Sequence, residues 1–423
     1  MDKLFQPVEW CLRSNIYEVN VRQYTKEGTF AAFSMHLPRL RDMGVEILWF
    51  MPITPISKEV RQGNLGSYYA CSDYKTINPE FGTTDDFRSL VKLAHEFGMK
   101  VIIDWVANHT GWDHVWTKKN PEFYKKNAVG KFYDTNNWHD VIDLNYYDHA
   151  MRREMISCME YWIRECDIDG FRCDMAHLVP LDFWRQARAQ LQPIKPLFWL
   201  AETEHPNYQA AFDISYAWHW MHRTEAYSKG DLNVQALSET LFEYLLKSTH
   251  YLYLFFTTNH DENSWNGTEY EKYKEAAIPL SVLSFTFPGL PLIYSGQELP
   301  NRKRLKFFDK DEIEWKKDPL LHPFYKTMLS LRKQNVALTS CTKTSETFLL
   351  HTNAPAQLIA YLRRNGNKEV LTILNLSSRP ADCTLISEQV NGIYTEVFEE
   401  KQYRLQKDSV LPVPSWGYLV FQK

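Results

Sequence analysis

Residues Thr84 to Val106 read TDDFRSLVKLAHEFGMKVIIDWV, and two periodicities meet in this stretch at a single glycine. As far as Phe97 the apolar residues recur at helical spacing, behind a Thr that can cap free backbone N–H groups. Gly98 closes that helix, and Lys100 to Val106 is a short β-branched run that reads as a strand. A helix feeding a strand through one turn is half of a βαβ unit, and the same alternation extends in both directions. Upstream, Asn15 to Arg22 reads as a strand, Thr29 to Met43 as a helix closed by Gly44, and Glu46 to Met51 as the second strand. Downstream, strands are expected at Gly170 to Cys173, Leu197 to Ala201, Phe212 to Ser215, Tyr253 to Thr258 and Leu290 to Tyr294. Eight strand and helix units predict an α/β fold of the (β/α)8 TIM barrel type over residues 1–341. An open dinucleotide-binding sheet is disfavoured because no Gly-rich phosphate turn follows the first strand.

Two segments depart from the repeat. Residues 108–147, rich in Trp, Tyr, Asn, Asp and His, are too long for an ordinary connection and predict an inserted subdomain after the third strand. From residue 342 to 423 the period changes to two, with a turn at Arg364-Asn365-Gly366, which predicts a small C-terminal antiparallel β domain of sandwich type.

Composition excludes several classes. The chain has 423 residues, 44% of them hydrophobic and 24% charged, with a net charge of −4, so neither disorder nor a nucleic-acid or anionic-membrane partner is indicated. Seven scattered cysteines without a CxxC argue against a zinc site or a disulfide scaffold. Met1 to Trp10 lacks the apolar run of a secretory signal, so a cytoplasmic location is expected unless a leader has been removed. Ala276 to Tyr294 carries no charge, but Pro279, Pro288, Gly289 and Pro291 break it, so it reads as a buried helix, a turn and a buried strand rather than a membrane span. Aromatic residues make up 15% of the chain, enough to serve both a large core and surfaces that stack against flat ligands.

In a barrel of this kind the reacting groups stand at the carboxyl ends of the strands. There the third strand offers Asp104, Asn108 and His109, the fourth Arg172 and Asp174, the fifth Glu202 and Glu204, and the seventh Asn259, His260 and Asp261. A carboxyl of raised pKa, a second one kept ionised and an Arg to hold it are the equipment for cleaving a glycosidic bond. Glu204 shares the face of Glu202 only if the strand continues that far.

These blocks, DWVANH at Asp104 to His109, VIDLN at Val141 to Asn145, GFRCD at Gly170 to Asp174, AETE at Ala201 to Glu204 and NHD at Asn259 to Asp261, resemble the α-amylase family of retaining glycoside hydrolases in order and placement. Gly66-Ser67-Tyr68-Tyr69 matches an earlier family segment. The resemblance implies that Asp174 is the nucleophile, Glu202 the general acid and then base, and Asp261 the third carboxylate. It implies that Tyr69, His109, Arg172 and His260 contact the substrate, with Asp104 in support. It also implies hydrolysis of α-glucosidic bonds, above all α-1,4 links in maltodextrins or starch-like glucans. Exo-acting α-glucosidase and α-glucan transglycosylase remain open, because they use the same acids, and a catalytically silent sugar-binding scaffold is the remote alternative. No organic cofactor is expected. A structural Ca2+ is implied by Asn108 and Asp143, although two ligands are far from the six to eight that calcium takes. His177 and Leu178 stand where many relatives carry Lys-His, which leaves the leaving-group side open, and Trp112, Trp116, Trp138 and His139 are candidate sugar platforms.

Overall fold

A computed structural model of the chain describes residues 5–248 and 251–423. Met1 to Leu4, the start of the segment read for a secretory signal, lie outside the described residues. Eight parallel strands close into a barrel in chain order: Ile16–Val19, Ile47–Phe50, Lys100–Trp105, Gly170–Cys173, Phe198–Ala201, Ile214–Tyr216, Leu252–Phe255 and Leu290–Tyr294. Register is continuous around the ring, with Ile16 beside both Ile47 and Leu292.

Alternation along the strands sorts their side chains into two cores. Ile16, Ile47, Trp49, Ile102, Phe198, Leu200, Ile214, Tyr216, Leu252, Leu254, Leu290 and Leu292 fill the barrel interior. Their neighbours Tyr17, Leu48, Ile103, Phe171, Trp199 and Ile293 face outward into the layer shared with the helices. Gly170 lets the fourth strand approach the fifth, because a Cβ there would lie 2.0 Å from the Phe198 carbonyl oxygen.

Boundaries shift where local chemistry intervenes. The first strand ends at Val19, and Val21–Tyr24 turns into a helix instead of continuing to Arg22. The helix expected over Thr29 to Met43 is two pieces, Phe30–Ser34 and Leu37–Met43, since Pro38 has no N–H to give Ser34 and its ring would crowd that carbonyl. Thr84–Glu96 is one helix, capped by Thr83 and Asp86 in a reciprocal capping box. The sixth strand starts two residues later than expected and the seventh stops at Phe255, short of Thr258.

Within the insertion, His109–Gly111 pairs antiparallel with Val141–Asp143. The uncharged stretch is a helix, Ala277–Thr286, followed by the eighth barrel strand, and both are buried within the fold. No described helix is long and apolar enough to cross a membrane. The tail forms a six-stranded antiparallel sheet and a two-stranded one, Ala381–Thr384 with Val410–Val413, packed around Leu362, Leu371, Leu385 and Tyr394. Its central hairpin turns at Gly366, between Leu358–Asn365 and Lys368–Asn375. The Tyr361 hydroxyl joins this sheet to Thr286 of the barrel, 2.6 Å away.

Candidate active site

Strand parity builds the site. On four strands the inward positions turn polar toward the carboxyl end: Glu18 two residues after Ile16, Asp104 two after Ile102, Glu202 two after Leu200, and Arg172 and Asp174 two and four after Gly170. Arg172 is fully buried and gathers three carboxylates. Its Nη1 lies 2.8 Å from Asp104 Oδ1 and 3.0 Å from Asp174 Oδ1, and its Nη2 lies 2.8 Å from Glu202 Oε2. The last contact is an ion pair without hydrogen-bond geometry, and Glu202 Oε2 accepts instead from the Met175 backbone N–H at 2.8 Å. Met175 holds a left-handed conformation, φ 38°, to present that N–H. The guanidinium also faces the Trp49 ring at 5.0 Å.

A second chain of contacts reaches the same carboxylates through His260. Its Nδ1–H donates to Glu18 Oε1 at 2.5 Å, and its Nε2 lies 2.7 Å from the Tyr69 hydroxyl and 3.2 Å from Asp261 Oδ2. Tyr69 O–H donates onward to Asp104 Oδ2 at 3.1 Å, which also accepts Trp49 Nε1–H at 3.2 Å. The predicted residues Tyr69, Asp104, Arg172, Asp174, Glu202, His260 and Asp261 thus form one continuous cluster. His109 lines the same pocket from the insertion, with its ring against Trp138.

Protonation follows from burial and charge. Burial pushes Glu202 up to about 7, and Asp174 and Asp261 add to the effect of burial against the pull of Arg172. The sequence predicts that Arg172 keeps Asp174 low; in the structure burial outweighs the guanidinium and Asp174 stands at about 6. Burial and the neighbouring carboxylates raise both groups, which favours a proton kept on the pair for the acid to give. Burial opposes ionisation of Asp261, but the His260 cation overcomes it and holds Asp261 below its ordinary value. Burial likewise opposes a charged His260, which Asp261 and Glu18 nevertheless hold well above the usual imidazole range. His109, buried with its carboxylates farther off, is pushed down to about 4 and is neutral at pH near 7.

The cavity measures about 300 Å3, at the small end of ligand sites. Besides the acids it is lined by Gln62, Trp138, Asp140, Trp265, Phe307 and Phe308. Of the candidate platforms only Trp138 reaches it. Trp116 is buried against Tyr74, His114 and Phe123, and Trp112 is spent on the His139 carbonyl, 3.0 Å from its Nε1. Glu204 is drawn away from the acids, accepting from the His219 backbone N–H and the Tyr244 hydroxyl at the start of helix Trp218–Lys229. His177 is exposed beside the pocket.

Glu18, Trp49 and Met175 are functional neighbours that motif reading misses. The signal for Glu18 was an acid at an inward position of NIYEVNVR. For Met175 there was no signal, because its role rests on backbone.

The two implied calcium ligands are engaged by protein groups, apart from Asp143 Oδ1, which is buried without a partner. Asp143 Oδ2 already receives Lys125 Nζ at 2.9 Å and Thr135 Oγ1 at 2.6 Å, so an ammonium supplies the positive charge. Burial would raise Asp143, but Thr135 and Lys125 bring it below its ordinary value. Asn108 turns its Nδ2 to His109 Nδ1 at 3.2 Å, and no described group of three or more His, Cys, Asp or Glu could hold a metal. EDTA or added calcium is therefore expected to leave the melting temperature unchanged, whereas Lys125→Ala should cost about 1–3 kcal/mol by stripping a buried carboxylate of its partner. Calcium-dependent melting of the unaltered protein would contradict this.

Comparison with known proteins agrees with this geometry. A family model described as the alpha amylase catalytic domain matches residues 14–133 and 123–318. An alpha-amylase of Haloarcula japonica, MalA, is 26% identical over 96% of this chain, and the match spans 62% of that enzyme's length. The crystal structure of a noncanonic maltogenic alpha-amylase from Thermotoga neapolitana is 31% identical, with a TM-score of 0.88 over 97% of this chain and 99% of that one. An alpha-amylase from Lactobacillus plantarum gives the same TM-score and coverage at 28% identity. By the matched catalytic domain and the closed barrel that carries it, this chain belongs to the alpha-amylase family.

Proposed function

We propose that the protein is a retaining glycoside hydrolase that cleaves α-glucosidic bonds, principally α-1,4 links of maltodextrins or starch-like glucans. The observation that carries this reading is Arg172, one buried cation touching both the carboxylate that attacks and the carboxyl that donates a proton. The Asp174 carboxylate attacks the anomeric carbon while Glu202 gives its proton to the departing glycosidic oxygen, forming a covalent glycosyl-Asp174. Glu202, now ionised, takes a proton from water as that water attacks the same carbon and releases Asp174. Two displacements at one carbon restore its configuration. Asp261 is placed to grip sugar hydroxyls, and it stays charged because His260 is charged beside it. Tyr69 offers its ring to the sugar, and His109, neutral, can hydrogen-bond to it. The alpha-amylase and maltogenic alpha-amylase relatives support an α-glucan substrate.

The test is the anomer first released from maltotriose, followed by proton NMR before mutarotation. The α-anomer is expected; first release of the β-anomer, or no turnover of any α-glucan, would overturn the proposal.

A further inference from the structure

One side of the pocket is walled. After the eighth barrel strand, the segment Asn301 to Asp311 brings Phe307 flat against Tyr69, ring centres 6.1 Å apart at 15°. Trp265 packs on Phe307 at 5.3 Å and on Phe308 at 5.6 Å. The wall is tied to three other segments. Asn64 donates to Asp309 Oδ1 through its backbone N–H at 3.0 Å and its side chain at 2.7 Å, and Leu65 N–H donates to the Phe308 carbonyl at 3.0 Å. Asn263 Oδ1 accepts from Leu305 N–H at 2.9 Å, Ser264 Oγ donates to the Leu305 carbonyl at 2.8 Å, and Gln23 Nε2 donates to the Lys306 carbonyl at 2.7 Å. There is no slack behind it, since a Cβ on Gly63 would stand 2.5 Å from Phe308 Cβ. By contrast Glu202 and Met175 line the side beside exposed His177.

From this asymmetry we infer that the pocket is blind on the side away from Glu202, so that the enzyme works from the non-reducing end of a malto-oligosaccharide and releases one glucosyl unit at a time. This rests on the hydrolase reading above and names its substrate end. A glucosyl unit with its anomeric carbon at Asp174 and its leaving oxygen at Glu202 points C4, across the ring from C1, away from Glu202. An internal unit would have to continue its chain from that C4 through the aromatic wall. A terminal unit ends there in a hydroxyl. A cavity of about 300 Å3 holds a chain end and not a long run of sugars.

The experiment compares maltoheptaose with the same heptasaccharide blocked at its non-reducing end by a 4,6-O-benzylidene acetal, both labelled at the reducing end. The blocked sugar is expected to turn over at least about 100-fold more slowly, because the acetal clashes with a fixed wall. The free sugar should shorten stepwise from its unlabelled end. Equal rates, or mid-chain products in the first turnovers, would overturn the inference while leaving the hydrolase intact. No turnover of free maltoheptaose would instead overturn the hydrolase reading and this inference with it. In Phe308→Ala the blocked-to-free rate ratio is expected to rise about tenfold or more as the wall opens.

Discussion

Replacing Glu202 by Gln is expected to lower kcat/KM on maltodextrins by about 10²- to 10⁴-fold, the range a positioned general acid supplies. Gln keeps the shape and can still accept the Met175 N–H, but it has no proton to give the glycosidic oxygen. Substrates with an acidic phenol as leaving group need little protonation, so their first step should survive while hydrolysis of the glycosyl-Asp174 slows for want of a base. A burst of phenol followed by a slow steady state is the expected trace, and maltodextrin binding should persist. Unchanged hydrolysis by Glu202→Gln would sink the assignment.

The same substitution should stabilise the protein at high pH. Glu202 stands at about 7 when folded, above the ordinary value of 4.5, so the native state binds the extra proton between those values. Below about pH 4 the group is neutral whether folded or not and contributes nothing; above about pH 7 it is a buried charge that costs stability. Gln is neutral throughout. Its melting temperature should exceed that of the unaltered protein near pH 8 and converge with it near pH 4. A lower melting temperature at pH 8 would show that Arg172 gains more from the Glu202 charge than burial takes away.

The second large effect belongs to Arg172. Arg172→Leu leaves Asp104, Asp174 and Glu202 facing one another in a dry barrel mouth with their shared cation gone. Removing one partner of a buried ion cluster costs about 3–5 kcal/mol, and the carboxylates would relieve their repulsion by taking up protons. A protonated Asp174 cannot attack, so activity near pH 7 should fall together with stability. The two losses are separable by pH. At about pH 4 all three carboxyls are largely protonated in the folded protein and little charge remains there to repel, so the melting-temperature deficit should shrink there and widen toward pH 8. A deficit equal at both pH values would point to lost packing against Trp49 and Tyr69 rather than lost charge.

Much of this site is legible in one dimension because a barrel strand is short, local and periodic. Alternation puts Asp104 on the face of Ile102 and Glu202 on the face of Leu200, and the order of acids at the strand ends follows from chain order alone. Pro38 marks a local break as well, since its missing N–H ends the preceding helix after Ser34. Lys125 shows the opposite case. Nothing in its neighbourhood along the chain marks it as the cation for Asp143, because the two meet only when the insertion folds back on itself. Phe307 reaches Tyr69 across a sequence separation of 238 residues, a contact that exists only once the barrel has closed.

Sequence by itself therefore determined the barrel, the insertion after its third strand, and the identity of Asp174, Glu202, Asp261, Arg172 and His260 as strand-end groups, since these depend on side-chain period and position along the chain. Tertiary structure alone decided what those groups are electrically and what shape surrounds them. Burial lifts Asp174 despite Arg172, Asp261 and Glu18 keep His260 charged, the Lys125 ammonium sits on Asp143, and Phe307 and Phe308 wall the pocket. Desolvation and Coulomb energy depend on what lies within a few ångströms in space, and that neighbourhood exists only once distant loops have met.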